Sequence, residues 1–222
     1  MSGPGALALD LAGERLWLLP QKALYWPRER MLIVADIHFG KAASFRSLGV
    51  PVPAGTTSAN LEALDELIDL YAITQILFLG DFLHARAAHA ASTIGAMLRW
   101  RAAHPSLRLT VVRGNHDAHA GDPPSQLGIE MVDEPHVYGP FAFCHHPDVL
   151  VHAYVMAGHV HPVFRLRAGW ESLTLPCFLA GTGAIVLPSF GAFTGGHPIA
   201  PQPGQRVFVT SGDTVFQVPG PT

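Results

Sequence analysis

Five short apolar runs punctuate the chain, at residues 31–35, 76–79, 109–112, 141–143 and 155–157. Their length and β-branched or aromatic content predict buried strands. Two helical patterns separate the first three. Residues 60–71 place Leu61, Leu64, Leu67, Ile68 and Tyr71 on one helical face, with Thr56, Thr57 and Ser58 as N-cap candidates. Residues 90–103 turn Ile94, Met97 and Leu98 inward and Arg99 and Arg101 outward. Strand, helix, strand, helix, strand from 31 to 113 predicts parallel pairing through crossovers. Residues 6–26 alternate around Gly13 and Pro20, which predicts short strands ahead of the first run. After residue 128 the helical period stops, and strand-like pieces follow at 130–132, 141–144, 154–157, 163–167, 172–175, 184–187, 206–210 and 214–218.

Charge changes this picture in the second half. From Ser172 onward only Arg206 and Asp213 are charged, which predicts a mostly buried second sheet. The uncharged stretch 172–196 is punctuated by Pro176, Gly181, Gly183, Pro188, Gly191, Gly195 and Gly196, too many breakers for a lipid-facing helix. Strands and tight turns inside the domain are expected there. With 222 residues, 49% hydrophobic and 14% charged, the chain has enough apolar material for one α/β domain over 1–222. Asp10, Glu14 and Arg15 interrupt any apolar leader, and two cysteines, Cys144 and Cys177, make no disulfide framework. A cytoplasmic protein with reduced thiols and no membrane partner is expected. A net charge of −3 argues against a broad electrostatic footprint for duplex DNA. Two bound divalent cations would add about four positive charges locally and weaken that objection.

The polar residues that follow the apolar runs carry the chemistry. Asp36-Ile37-His38, Gly80-Asp81, Gly114-Asn115-His116-Asp117 and Gly158-His159-Val160-His161 occur in this order, with Cys144-His145-His146-Pro147 between the last two. Strand ends of an α/β protein collect on one rim, where such proteins build their sites. Three Asp or Asn oxygens with three or four imidazoles exceed what one divalent ion uses and suit a two-metal centre. A donor set of oxygen and imidazole without thiolate points to manganese first, with iron or zinc as alternatives. Alone, any one Asp here is as readily a turn residue and any one His a core imidazole; the ordered set favours ligation.

This series resembles the calcineurin-like metallophosphoesterase superfamily. Residues 35–42, 112–117, 121–124 and 190–196 further resemble the bacterial ligase-associated DNA-damage-response phosphoesterases, and the similarity runs across nearly the whole chain. The resemblance implies an α/β fold of αββα type, two mixed sheets flanked by helices. It also implies a site: Asp36, His38 and His161 on the first metal, Asp81 bridging, and Asn115, His145 and His159 on the second. His145 is preferred to His146 because the family uses the first His of such a pair; alternation is expected to place the two on opposite sides, so that only one faces the metals. His116 corresponds to the family's catalytic imidazole at the leaving oxygen. Many protein phosphatases of the superfamily carry an acid three residues after the G-D aspartate. His84 stands there instead, as in the double-strand-break-repair nucleases, and is assigned as an auxiliary to His116.

The implied reaction is hydrolysis of a phosphodiester, by in-line attack of water activated between two cations, without a covalent intermediate. The resemblance points to a nuclease acting on single-stranded DNA or processed ends, beside a DNA ligase and helicase. A small-molecule phosphodiesterase acting on cyclic nucleotides or nucleotide pyrophosphates is the alternative, and a non-catalytic scaffold the second. Lys41, Arg46 and Arg86 flank the motifs and are candidates for substrate phosphates, or solvated charges. Phe39 and Phe193 are candidates to stack on a base, with core packing the expected fate of both. Cys144 is expected to fill core space.

Overall fold

The computed structural model describes residues 3–52, 55–147 and 152–219. Seven strands form the first sheet in chain order: β1 (Leu7–Leu11), β2 (Glu14–Leu18), β3 (Leu24–Trp26), β4 (Met31–Ala35), β5 (Gln75–Leu79), β6 (Arg108–Val112) and β7 (Ile129–Val132). β1 to β4 pair antiparallel, while β4 to β7 pair parallel, as the crossovers require. The crossovers carry α1 (Lys41–Ser47), α2 (Thr56–Tyr71), α3 (Ala91–Ala103) and α4 (Asn115–Ala120). The second sheet holds β8 (His136–Tyr138), β9 (Phe141–Phe143), β10 (Tyr154–Ala157), β11 (Pro162–Ala168), β12 (Glu171–Ala180), β13 (Ala184–Val186), β14 (His197–Pro198), β15 (Arg206–Thr210) and β16 (Val215–Gln217). β9, β10 and β13 run parallel, and the pairings of β12 with β11, β13 and β15 are antiparallel. The fold is thus two mixed sheets flanked by helices, with the described α-helices all between residues 41 and 120.

Alternation along β4 divides the core. Leu32 and Val34 point to the helices, where Leu61, Leu64, Leu67 and Met97 meet Phe78 and Val111. Ile33 and Ala35 point to the second sheet, where Leu77 and Leu79 meet Phe141, Phe143, Met156, Phe178, Ile185 and Phe208. Both faces being covered, the strands read as unbroken apolar runs. Leu64 and Leu67 are fully buried, each worth roughly 1.5–3 kcal/mol of transfer free energy.

Three expectations need correction. The second helix of the chain begins at Thr56 after Gly55, so Thr56, Thr57 and Ser58 lie inside its first turn and do not cap it. The strand-like piece at 172–175 does not stop before Pro176 but runs on through it to Ala180 as β12. Pro176 sits where β12 leaves β11 (Val163 opposite Pro176) to join β15 (Cys177 opposite Val209), a switch of partner that tolerates a missing N–H. The uncharged stretch is not all interior either: Leu173 on β12 is exposed, close to the exposed Trp170 at the β11–β12 turn. No helix among the described residues is long and apolar enough to cross a membrane.

Candidate metal centre

The motif residues sit where strands end. Asp36 and His38 follow β4, Asp81 follows β5, and Asn115 and His116 open α4 just after β6. His145 lies two residues past β9, and His159 and His161 lie in the turn from β10 to β11. Asp36, His38, Asp81, His159 and His161 all adopt left-handed backbone conformations, with φ of 52°, 49°, 48°, 67° and 50°. That region costs a non-glycine residue roughly 1–2 kcal/mol, and strain of this kind gathers at functional sites. Each such turn swings a side chain off its strand direction and over the rim.

The loops are locked to one another. The N–H groups of His38 and Phe39 donate to the carbonyls of Asp81 and Phe82, both at 2.9 Å, and that of His84 donates to Phe39 at 3.1 Å. Phe190 N–H donates to the Ala35 carbonyl at 2.8 Å, and Ser189 Oγ donates to that of Asp36 at 2.8 Å. Buried Asn60 donates to the Ile37 carbonyl (3.1 Å) and accepts from Ala192 N–H (2.8 Å). Side chains are excluded at two approaches. A Cβ on Gly80 would fall 2.2 Å from His145 Nδ1, and one on Gly114 2.4 Å from Asp81 Oδ1. The glycines of Gly80-Asp81 and Gly114-Asn115 are therefore steric requirements.

Two groups of lone pairs result. In the first, His38 Nε2 lies 3.6 Å from Asp81 Oδ2 and His161 Nε2 lies 3.5 Å from Asp36 Oδ1. Both nitrogens are buried without a hydrogen-bond partner. In the second, His145 Nδ1 lies 3.1 Å from the Leu79 carbonyl, which can only accept, so Nδ1 holds the proton. Nε2 of the same ring lies 2.9 Å from Asn115 Oδ1, 3.5 Å from Asp81 Oδ1 and 3.0 Å from His159 Nδ1. Oxygens and ring nitrogens crowded this closely can offer their lone pairs to a shared cation. Separations near 3.0–3.5 Å are the edges of a coordination polyhedron with bonds of about 2.1 Å. Asp81 turns one oxygen to each group. The donors present therefore fit two divalent ions.

Electrostatics keep the rings ready to ligate. Burial, helped by Lys41 and neighbouring histidines, lowers the His38 pKa to about 2, and burial with His116 lowers that of His84 to about 4. Burial likewise lowers the His159 pKa. Lys41 is depressed by burial, against the pull of Asp81 and Asp36, which places its ammonium in the field of the centre. His116 Nδ1 donates to the His84 carbonyl at 2.7 Å, leaving Nε2 turned towards Asp81 Oδ2 at 4.0 Å. The His84 and His116 rings stack at 4.8 Å.

Other expectations fare differently. His145 and His146 do not point to opposite sides, because β9 ends at Phe143 and alternation with it. Their rings lie 4.8 Å apart, and His146 is 4.6 Å from the His159 ring. Arg86 is exposed, while Arg46 lies with Thr56 and Ser92 along a separate recess. Phe39 is core, but Phe193 belongs to none of the apolar clusters. Cys144 packs with Ala142, Val155 and Ala157 as expected.

Two buttresses carry no local signature. Asp117, buried, accepts from Leu83 N–H at Oδ1 (2.9 Å) and from Phe82 and Gly114 N–H at Oδ2 (3.2 and 3.0 Å). Burial raises its pKa, against those hydrogen bonds. Glu134 accepts the N–H groups of His145 and His146 (2.7 and 2.9 Å) and His146 Nδ1 (2.6 Å). Burial opposes its ionisation, yet these bonds hold its pKa below the ordinary value. Asp117 was visible in the Gly114–Asp117 motif without a role; Glu134 had no signal at all.

The calcineurin-like phosphoesterase profile matches residues 29–168, more than half of the chain. The chain belongs to the calcineurin-like phosphoesterases. A crystal structure of the Pseudomonas putida nuclease MPE is 44% identical in sequence, covers 96% of this phosphoesterase and 100% of its own chain, and superposes with a TM-score of 0.86. The E. coli phosphoesterase Yfce is remote, at 14% identity, 85% and 97% coverage and a TM-score of 0.39, and carries no argument. No curated protein matches the chain. Members of this family use divalent metals, so this phosphoesterase is metal-dependent.

Proposed function

We propose that this phosphoesterase is a nuclease that hydrolyses phosphodiester bonds in single-stranded DNA or processed DNA ends, with manganese as its working metal. The reading rests on one observation: the Nε2 atoms of His38 and His161 are buried without a hydrogen-bond partner, 3.6 Å and 3.5 Å from carboxylate oxygens of Asp81 and Asp36. The likeness to the P. putida nuclease supports the substrate class. Asp36, His38 and His161 would hold one ion, Asn115, His145 and His159 the other, and Asp81 would serve both. When bound, the two cations acidify a water and draw charge from the phosphate oxygens. His116, its Nδ1 fixed on the His84 carbonyl, turns Nε2 to the leaving oxygen, and its imidazolium form gives that oxygen the Nε2 proton and is left as the neutral imidazole. His84 stacks on that ring and fixes its plane. Lys41 reaches a non-bridging phosphate oxygen, and Arg46 and Arg86 are the further cations offered to substrate phosphates. Work beside a DNA ligase and helicase in the cytoplasm completes the proposal.

The test pairs labelled single-stranded DNA with a simple aryl phosphodiester, each with manganese-loaded protein. Cutting of both supports the reading, and hydrolysis of the aryl ester with intact DNA points to a small-molecule phosphodiesterase. Asp81→Asn is expected to lose metal and rate together, whereas His116→Ala keeps metal and loses rate. Equal metal loss in both variants would overturn the role given to His116.

A further inference from the structure

Phe45 and Phe193 are large apolar rings that join no core. Both are partly exposed, and neither packs in any of the four apolar clusters. Their neighbours lie instead at the candidate centre. Phe45 stacks on His84 with centroids 6.2 Å apart and planes 25° from parallel, and Phe193 stands perpendicular to it, at 86°, with centroids 5.8 Å apart. His84 in turn stacks on His116. A column of rings thus runs from the imidazole assigned to the leaving oxygen through His84 and Phe45 to the partly exposed Phe193. Lys41 lies one helical turn before Phe45, on the same edge of α1, in the field of Asp36 and Asp81. Just beyond, Leu48 and Val50 are exposed at 78% and 42%.

We propose that Phe45, edged by Phe193, is the stacking wall for the base of the leaving nucleoside. This rests on the nuclease reading and gives it a specificity device. An aromatic face accepts any base, so the contact adds affinity without sequence preference. A base paired within a duplex has both faces occupied by its neighbours. Only an unstacked one, in a single strand, a loop or a frayed end, can offer a face to Phe45. The wall therefore selects for unpaired nucleotides on the leaving side of the cut, without the broad basic surface that duplex recognition needs.

The test uses two single-stranded oligonucleotides that differ only in whether the nucleotide on the leaving side carries a base. Phe45→Ala is expected to raise KM for the intact strand about tenfold more than for the abasic strand, the factor given by roughly 1.4 kcal/mol of lost stacking. Phe45→Trp restores the preference. Equal losses on both strands would mean that Phe45 merely props His84, and would overturn the proposal. A catalysis-free readout keeps the two readings apart. A 2-aminopurine strand titrated into metal-free protein is quenched by wild type and by Phe45→Trp, and less by Phe45→Ala. If wild type cut no phosphodiester but quenching still followed residue 45, the nuclease reading would fail and the base site would stand. No difference in quenching between the variants would sink the base site itself.

Discussion

Replacing Asp117 with asparagine removes a single charge from a side chain that touches neither metal nor substrate. An amide offers one oxygen where the carboxylate offers two. With that oxygen at the Oδ2 position, Phe82 and Gly114 N–H stay bonded and Leu83 N–H faces an NH2 group; the opposite flip abandons two donors. The better flip still strands one buried N–H, at about 1–3 kcal/mol. It also turns two charge-assisted bonds into neutral ones, at about 1 kcal/mol each. Relief of a buried charge, which burial already disfavours, returns part of this. A net loss of about 3 kcal/mol is expected, or roughly 6–12 °C in Tm for a chain of this size. Thermal unfolding of the metal-free protein by circular dichroism measures it. The loops joined by Asp117 carry Asp81, His84, Asn115 and His116, so kcat on an aryl phosphodiester is expected to fall at least tenfold, with metal content held in excess manganese. A Tm within about 1 °C of wild type would refute the account of Asp117 as the tie between these loops.

Other outcomes follow from the same geometry. Gly114→Ala drives a methyl to 2.4 Å from Asp81 and is expected to abolish hydrolysis at a backbone angle alanine tolerates, φ −100°; near-normal turnover would contradict the steric argument. Glu134→Ala frees the His145–His146 turn and is expected to weaken metal binding about 10–100-fold, read by calorimetric titration with manganese. His38 is neutral in the folded chain to about pH 2, whereas the unfolded chain binds that proton near pH 6.5, so stability is lost as pH falls below 6.5. The loss is about 2 kcal/mol by pH 5. Denaturant titrations of metal-free wild type and His38→Gln at pH 7 and pH 5 read it, and parallel slopes would discount it.

Much of this architecture was legible because it is local or periodic. The parallel run from β4 to β6 showed as unbroken apolar segments, since both faces of each strand are covered. The residues at the rim showed because they follow those strands directly. α1 and α4 did not show. They span seven and six residues, too short for a helical period, and each follows a glycine with no capping side chain. His146 was misplaced because alternation was extended past Phe143, where the strand has ended and Glu134 gathers both histidines. Asp117 and Glu134 act across long loops, and a contact from Asp117 to Leu83 has no sequence period to announce it. The run of β12 past Pro176 was not legible, because the change of partner along β12 is a property of the sheet, invisible in the strand.

Asp36, His38, Asp81 and Asn115 hang from the first sheet, and His145, His159 and His161 from the second. An ion held between them would therefore also be a rivet through the seam between the two halves of the molecule. A chelator would not just silence such an enzyme; it would unfasten it, and the amides along β4 and β10 would surrender their protons to heavy water sooner than those at the far edge strands.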